Sequence, residues 1–366
     1  MDPDPGKPSA AHNGLPISVK SLSRAPMKEQ FSAGDIAALF SPWETAHGIL
    51  LGVSGGPDSV ALMLLAAEWA RGRAAPPPLS VATVDHGLRQ DSHDEAEMVA
   101  RWAAALGLPH RILVWAGVKP KSKVQERARE ARYALLSEHA ASIGADHVMT
   151  AHHADDQAET IAFRLLRGSG IAGLAGMASS SKRNGIILAR PLLTCAKAEL
   201  VAFCEMRAHP FFTDPSNNAP AYARTRVRRL SLLLAEEGLD RQALLRLGCR
   251  AARADAALDQ QALALRSKLK VERAPGRFKA NISALADEPE ELLLRFLADE
   301  LKLIRGDKPL RLERLEALAS GLGRALRGGI PYKATLGGAA LRLQSDHFLV
   351  IMREGARRRG LANHLE

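Results

Sequence analysis

Cysteine is scarce: three residues in 366, at positions 195, 204 and 249, with no Cys-x-x-Cys pair. That argues against a disulfide framework, a structural zinc site or a dithiol redox centre, and it fits a reducing cytoplasm as the expected location. No apolar run approaches the ~18 residues of a membrane-spanning helix, so no membrane partner is expected. The opening MDPDPGKPSAAHNG has neither a basic nor an apolar segment, so a secretory signal is not expected either. Aromatic residues make up only 4%, and helix-favouring alanine, leucine and arginine are abundant. The length allows two domains with buried cores, and no internal repeat is apparent. One more absence frames the chemistry. The glycine-rich stretch LGVSGGPDSVALML (51–64) has no lysine where a GxxxxGK[ST] loop uses one to hold outer phosphates.

The net charge is +10, and it is unevenly placed. Residues 1–220 balance at 22 basic and 22 acidic groups, while residues 221–366 hold 28 and 18, the whole excess. This asymmetry predicts a neutral front half joined to a polyanion-binding back half.

Residues 1–30, rich in Pro, Ser and Gly, read as a disordered extension. From His47 strands and helices alternate. Strands are predicted at 48–53, 79–85, 110–115, 146–153 and 186–193, with helices at 59–72, 93–107, 122–144, 155–168 and 196–207. The alternation predicts an α/β domain over 31–220: a parallel sheet with helices on both faces. In such sheets ligands collect at the carboxyl ends of strands. SGGPDS, DHGLR and HHADD each follow a predicted strand, so all three fall on that edge. Residues 221–366 read as a basic, mainly helical region, with helices at 291–304 and 310–322. It ends in short strands over 332–354 and a basic tail, GARRRGLAN (355–363).

In SGGPDS, Gly55 and Gly56 let the backbone approach an anion, and the Ser54 and Ser59 hydroxyls add donors around Pro57. The helix that follows aims its first N–H groups and positive dipole end at the same place. Bare phosphate would repel Asp58, so its expected use is to hold Mg²⁺ bridging phosphate oxygens. A loop for pyrophosphate plus metal suits cleavage between the α and β phosphates, with transfer of a nucleotidyl group.

The SGGxDS signature resembles the PP-loop, or N-type ATP pyrophosphatase, superfamily. Further segments, VDHGLRQDSHDEAEMV, SKVQERAREARYALL, TAHHADDQAETIAFRLLRGSGIAGLAGM, RPLL and DPSNNAPAYARTRVRRL, resemble in that order the tRNA(Ile)-lysidine synthase family. The resemblance is strong over residues 45–230 and weaker at the C-terminal TLGGAALRLQSDHFLVIMRE. It implies a ligase that uses ATP to adenylate the C2 oxygen of the wobble cytidine in a CAU-anticodon tRNA(Ile). The ε-amine of L-lysine then displaces AMP. It also implies that Asp156 is a second essential carboxylate, sharing Mg²⁺ with Asp58 or orienting the amine; helix capping is the alternative for Asp156 and the favoured role for Asp155. His152 and His153 would contact phosphate or adenine or serve the structure. His86 and Arg89 face the nucleotide edge, and Gly168, in RGSG, offers an anion-binding turn. Arg132, with Glu126 and Glu159, is assigned to the substrate pocket. Arg224 and Arg228 are assigned to catalysis; Thr225 stands where the family carries Asn.

Rival readings are a small-metabolite PP-loop ligase, a sulfur-transferring tRNA enzyme and a non-catalytic RNA-binding protein. No Cys–His–Glu glutaminase domain, no CxxC, and the presence of both Asp58 and Asp156 count against them in turn. The sequence leaves the oligomeric state open, a homodimer among the options.

Overall fold

The computed structural model describes residues 31–87, 92–117, 124–213, 230–231, 233–306 and 310–354. The predicted extension 1–30, Arg89, Arg224, Arg228 and the basic tail lie outside these residues.

Six strands form the first sheet: β1 (Ile49–Gly52), β2 (Leu79–Asp85), β3 (His110–Val114), β4 (His147–Met149), β5 (Ser180–Arg183) and β6 (Ile186–Ala189). Their spatial order is β3-β2-β1-β4-β6-β5. Five run parallel; β5 is antiparallel to β6. This edge strand departs from the expected all-parallel sheet. Its turn, Asn184-Gly185, has both residues at positive φ, 48° and 82°, as a two-residue hairpin requires. Strand β4 is also shorter than the predicted 146–153, because Thr150 onward already turns toward the site.

The helices of this part are α1 (Ala33–Phe40), α2 (Pro57–Arg71), α3 (Ser92–Ala105), α4 (Val124–Ser142), α5 (Ala154–Leu165), α6 (Ile171–Leu174) and α7 (Lys197–Met206). Phe40, Leu62, Leu65, Val99 and Phe203 bury α1, α2, α3 and α7 against one face of the sheet. Tyr133, Leu136 and Ala140 bury α4 against the other face. The chain therefore steps outward from β1 to β3 on one side and returns to β4 on the other. The reversal puts a crevice at the carboxyl ends of β1 and β4, the usual ligand position in such folds.

The C-terminal part is mainly helical and ends in short strands, as expected, with one further hairpin. It has helices α8 (Arg241–Ser267), α9 (Glu290–Arg305) and α10 (Leu312–Gly328), but also a five-stranded antiparallel sheet. Strands β9 (Tyr332–Leu336), β10 (Ala339–Leu343) and β11 (Phe348–Arg353) were expected; the hairpin β7 (Val271–Ala274) and β8 (Arg277–Asn281) was not. The hairpin signal was present in VERAPGRFKAN, where Gly276 takes φ 70° between alternating residues. Leu293, Phe296, Leu297, Leu301 and Ile304 of α9 pack with Leu318 and Leu322 of α10 and with Phe278, Leu341 and Ile351 of the sheet. Glu300 is fully buried in this part and is held by Arg266 at 3.0 Å and Arg273 at 2.8 Å. Its two arginine partners offset the cost of desolvating the carboxylate.

The two parts meet where α5 lies against α8. Ile161, Ala158 and Ala162 pack on Leu244, and a Cβ at Gly248 would lie 2.5 Å from Ile161 Cδ1. Glycine there lets the helices approach closely.

Candidate active site

The loop after β1 is shaped by its own small residues. Gly55 has φ +84°, and a Cβ on it would lie 2.5 Å from Phe212 Cδ2. The Phe212 amide donates to Gly55 O at 2.9 Å, and its ring packs on Trp102 with centroids 5.2 Å apart. Gly56 is the N-cap of α2 and Pro57 its first residue, and no side chain caps the helix. The first amides of α2 thus face the loop's mouth without a side-chain acceptor, the arrangement that binds anions. Ser59 differs from expectation. Its hydroxyl donates to Gly56 O at 2.9 Å and accepts from Ser54 N at 3.1 Å, so it braces the loop from a buried position rather than offering its hydrogen to phosphate. Ser54 is exposed.

Asp58, in the first turn of α2, points at the start of α5. Its Oδ2 lies 3.6 Å from His153 Nε2 and 3.5 Å from Lys197 Nζ, while its Oδ1 is buried with no hydrogen-bond partner. Burial raises the Asp58 pKa, but His153 and then Lys197 outweigh it and hold the carboxyl below its usual range. His153 is 3% exposed and stands between two carboxylates, with Nε2 3.4 Å from Asp156 Oδ2. The Asp156 amide donates to His153 Nδ1, so in the neutral ring the hydrogen sits on Nε2, facing Asp58 and Asp156. Burial pushes the His153 pKa down, yet Asp58, Asp156 and Asp155 together raise it above its ordinary value.

The capping expectation for the two aspartates is reversed in detail. Asp156 Oδ2 accepts from the His153 amide at 3.2 Å, so Asp156 closes a capping box on its own helix, α5. Asp155 instead serves a different helix. It accepts from the Lys197 amide at 2.8 Å, capping α7, and pairs with Arg241 of α8 at 3.2 Å. Asp155 is thus a polar link between the sheet and the C-terminal part.

The other predicted residues fall as follows. His86 lies at the carboxyl end of β2, edge-on to Trp115 at 5.9 Å. Next to it, Asp85 accepts from Gly87 N at 2.8 Å and Ser92 Oγ at 2.7 Å, fixing the start of α3. Arg132 is solvent-accessible on α4 although protein crowds it. That crowding, opposed by Tyr133 and reinforced by Arg129, lowers its pKa. Tyr133 beside it is flanked by Arg129 at 5.3 Å and Arg183 at 4.3 Å from its ring centroid. Glu126 is exposed in the first turn of α4, and Glu159 is half-buried on α5. Gly168 is a correction. Its amide donates to Leu165 O and that of Ser169 to Arg164 O, both at 3.0 Å. These bonds close the end of α5, so neither amide is available to a phosphate. The GLAGM loop is pinned by Gln157, bonded to Met177 N and O at 2.7 and 2.9 Å.

Three contributors escaped the sequence reading: Lys197, Phe212 and the central placement of His153. Phe212 carried no motif, and Lys197 lay in a helix read only for periodicity.

A magnesium ion fits this donor set. The orphaned Asp58 Oδ1 and the nearby Asp156 are hard oxygen donors. Among the described residues no group of three or more His, Cys, Asp or Glu could hold a metal. Two carboxylates completed by substrate phosphates is the usual magnesium arrangement.

A family model described as a PP-loop domain matches residues 28–234, placing the chain in that class of ATP-using proteins. The same fold is found in the U34-tRNA thiolase NcsA from Methanococcus maripaludis, with TM-score 0.50 and 18% identity over 60% of this chain and 76% of that one. The chain is 45% identical to a tRNA(Ile)-lysidine synthase of Rhodopseudomonas palustris over 330 residues, 88% of this chain and 95% of the relative. It is 48% identical to the enzyme of that name from Methylobacterium sp. over 326 residues, 86% and 93% of the two. The chain belongs to the tRNA(Ile)-lysidine synthase family.

Proposed function

We propose that this chain joins L-lysine to C2 of the wobble cytidine in CAU-anticodon tRNA(Ile), in the cytoplasm, converting ATP to AMP and pyrophosphate. The observation that carries the reading is the meeting of the uncapped α2 N-terminus, the positive-φ Gly55 and the orphaned Asp58 oxygen in one crevice beside Asp156.

The chemistry proceeds in two displacements. The cytidine C2 oxygen attacks the α phosphorus, the bond from that phosphorus to the bridging oxygen breaks, and the electron pair leaves with pyrophosphate. A carbonyl oxygen that was a poor leaving group becomes a good one. The uncharged ε-amine of lysine then forms a bond to C2, the C2–oxygen bond breaks, AMP leaves, and the amine gives up its proton. The loop and the α2 amides hold the β and γ oxygens, leaving the α phosphorus open. Asp58 and Asp156 would hold Mg²⁺, which when bound adds positive charge against the phosphate oxygens. Asp156 also orients the incoming amine, with Glu126, Glu159 and Arg132 lining the substrate pocket.

Arg224 and Arg228 are assigned to the same edge. Support comes from the described residues on either side. Phe212 is bonded to the loop itself, and Arg241 is paired to Asp155 next to Asp156. Residues from about 221 onward grip tRNA, mainly through phosphate contacts that weaken with salt. The wobble base must leave its stack to reach the crevice.

The test supplies labelled lysine, ATP and tRNA carrying either C or U at the wobble position. Label entering only the cytidine tRNA supports the proposal; label in neither, or equally in both, refutes it.

A further inference from the structure

The glycine-rich loop raises an electrostatic problem that its own residues do not solve. ATP brings several negative charges to it, yet residues 53–59 contain a carboxylate and no cation. The structure supplies a cation from another element. Lys197 is the first residue of α7, and α7 lies alongside α2 so that Cys204 Sγ donates to Pro57 O at 3.6 Å. Cys204, near the far end of α7, thus packs on the first turn of α2, and the Lys197 side chain reaches that same turn from the start of α7.

The backbone of Lys197 is fixed from two directions. Its amide donates to Asp155 Oδ2 at 2.8 Å, and the preceding Ala196 amide donates to Glu199 Oε2 at 2.7 Å. From this anchored position the side chain reaches across to Asp58 Oδ2 at 3.5 Å while staying 47% exposed. A half-exposed ion pair of this kind contributes little to stability, so fold stability does not account for the placement. The flexible four-carbon stem carries a point charge that can swing through a few ångströms while the backbone stays put.

We propose that Lys197 supplies the cation the loop lacks, binding the β and γ oxygens of ATP and the departing pyrophosphate. This rests on the adenylation reading above. As the bond between the α phosphorus and the bridging oxygen breaks, the electron pair moves onto pyrophosphate, and the Lys197 ammonium faces the charge that develops there. The residue does for this loop what the in-loop lysine does for GxxxxGK[ST] loops, but from the N-terminus of a distant helix. Lys197 is a pyrophosphate-binding residue; Asp155 positions it through the backbone.

The experiment compares wild type, Lys197→Met and Lys197→Arg as full chains. Affinity for inorganic pyrophosphate with magnesium is read by calorimetry, alongside KM for ATP, KM for lysine, tRNA affinity and melting temperature. Loss of one charge-assisted contact predicts pyrophosphate affinity weaker by about ten- to a hundredfold in Lys197→Met. The KM for ATP rises with it, while tRNA affinity, KM for lysine and melting temperature stay put, and Lys197→Arg recovers most of the loss. Pyrophosphate affinity within twofold of wild type in Lys197→Met overturns the proposal, as does a change confined to melting temperature. A wild type that forms ADP in place of AMP defeats the adenylation reading itself. A wild type that forms AMP and binds pyrophosphate no better than Lys197→Met defeats only the role of Lys197.

Discussion

Replacing Gly55 with alanine perturbs the loop at its tightest point. The residue sits at φ +84°, where a side chain costs about 1–2 kcal/mol. The added methyl would lie 2.5 Å from Phe212 Cδ2 and 3.2 Å from Val99 Cγ2, distances that require something to move. The Phe212 ring has little room to yield, because Trp102 packs against it and its own amide is bonded to Gly55 O. Overpacking of this kind costs a further ~1–3 kcal/mol. The expected total is about 2–5 kcal/mol, a large share of the ~5–15 kcal/mol that holds a typical domain together. Denaturant unfolding of Gly55→Ala should show that loss, and AMP formation should fall beyond the loss of folded protein, since the loop backbone is displaced. Phe212→Ala opens the space. If the clash is real, the double variant is less destabilised than the two single losses added together. Gly55→Ala unfolding like wild type, or strict additivity in the double variant, would refute the reasoning.

Four further outcomes follow from contacts elsewhere in the structure. Asp58→Asn keeps the size of the side chain but removes its charge; AMP formation should drop by a factor of about a thousand or more while tRNA affinity holds, measured by filter binding. Asp85 has a folded-state pKa that burial raises but Ser92, Gly87 and His93 lower further, for a net depression. Its contribution, about 1–3 kcal/mol from two hydrogen bonds, is therefore fully present above the unfolded carboxyl pKa of ~3.9 and lost as pH falls from there through the lower folded-state pKa. Urea unfolding of Asp85→Asn should trail wild type at pH 7, and the gap should narrow as pH falls below the unfolded carboxyl pKa of ~3.9. At the junction of the two parts, Arg241→Ala breaks a pair whose side chains are 41% and 36% exposed, and unfolding should shift by under ~1 kcal/mol. Gly248→Val, which forces β-branched bulk toward Ile161, should cost about 1–3 kcal/mol in the same assay.

Much of the front half was legible because its signals are local. The strand-like runs at 48–53, 79–85 and 146–149, each followed by a polar cluster and a helix, are sufficient to place SGGPDS, DHGLR and HHADD on one edge. The edge strand β5 was missed because SSKR is polar and looks like loop; only its Asn-Gly turn announces the hairpin. The β7–β8 hairpin was missed for a related reason, since four of its residues are exposed and the buried Phe278 and Ala280 gain their meaning from contacts with β11 and α9. In the site, Asp58 was readable because its neighbours in sequence define its role. Lys197 and Phe212 were not, since each reaches the loop from about 140 or more residues away, and no spacing rule covers such pairs. The exchange of capping roles between Asp155 and Asp156 had the same cause. Which helix a carboxylate caps depends on where α7 and α8 arrive.

The central claim, that the loop exposes the α phosphorus of ATP to the cytidine C2 oxygen, is tested most directly by following that oxygen. Transfer RNA carrying oxygen-18 at C2 of the wobble cytidine is incubated with the protein, ATP and lysine, and the nucleotides are weighed by mass spectrometry. The account predicts oxygen-18 in the AMP, in amounts equal to the lysine incorporated. Unlabelled AMP, or ADP as the product, would contradict it.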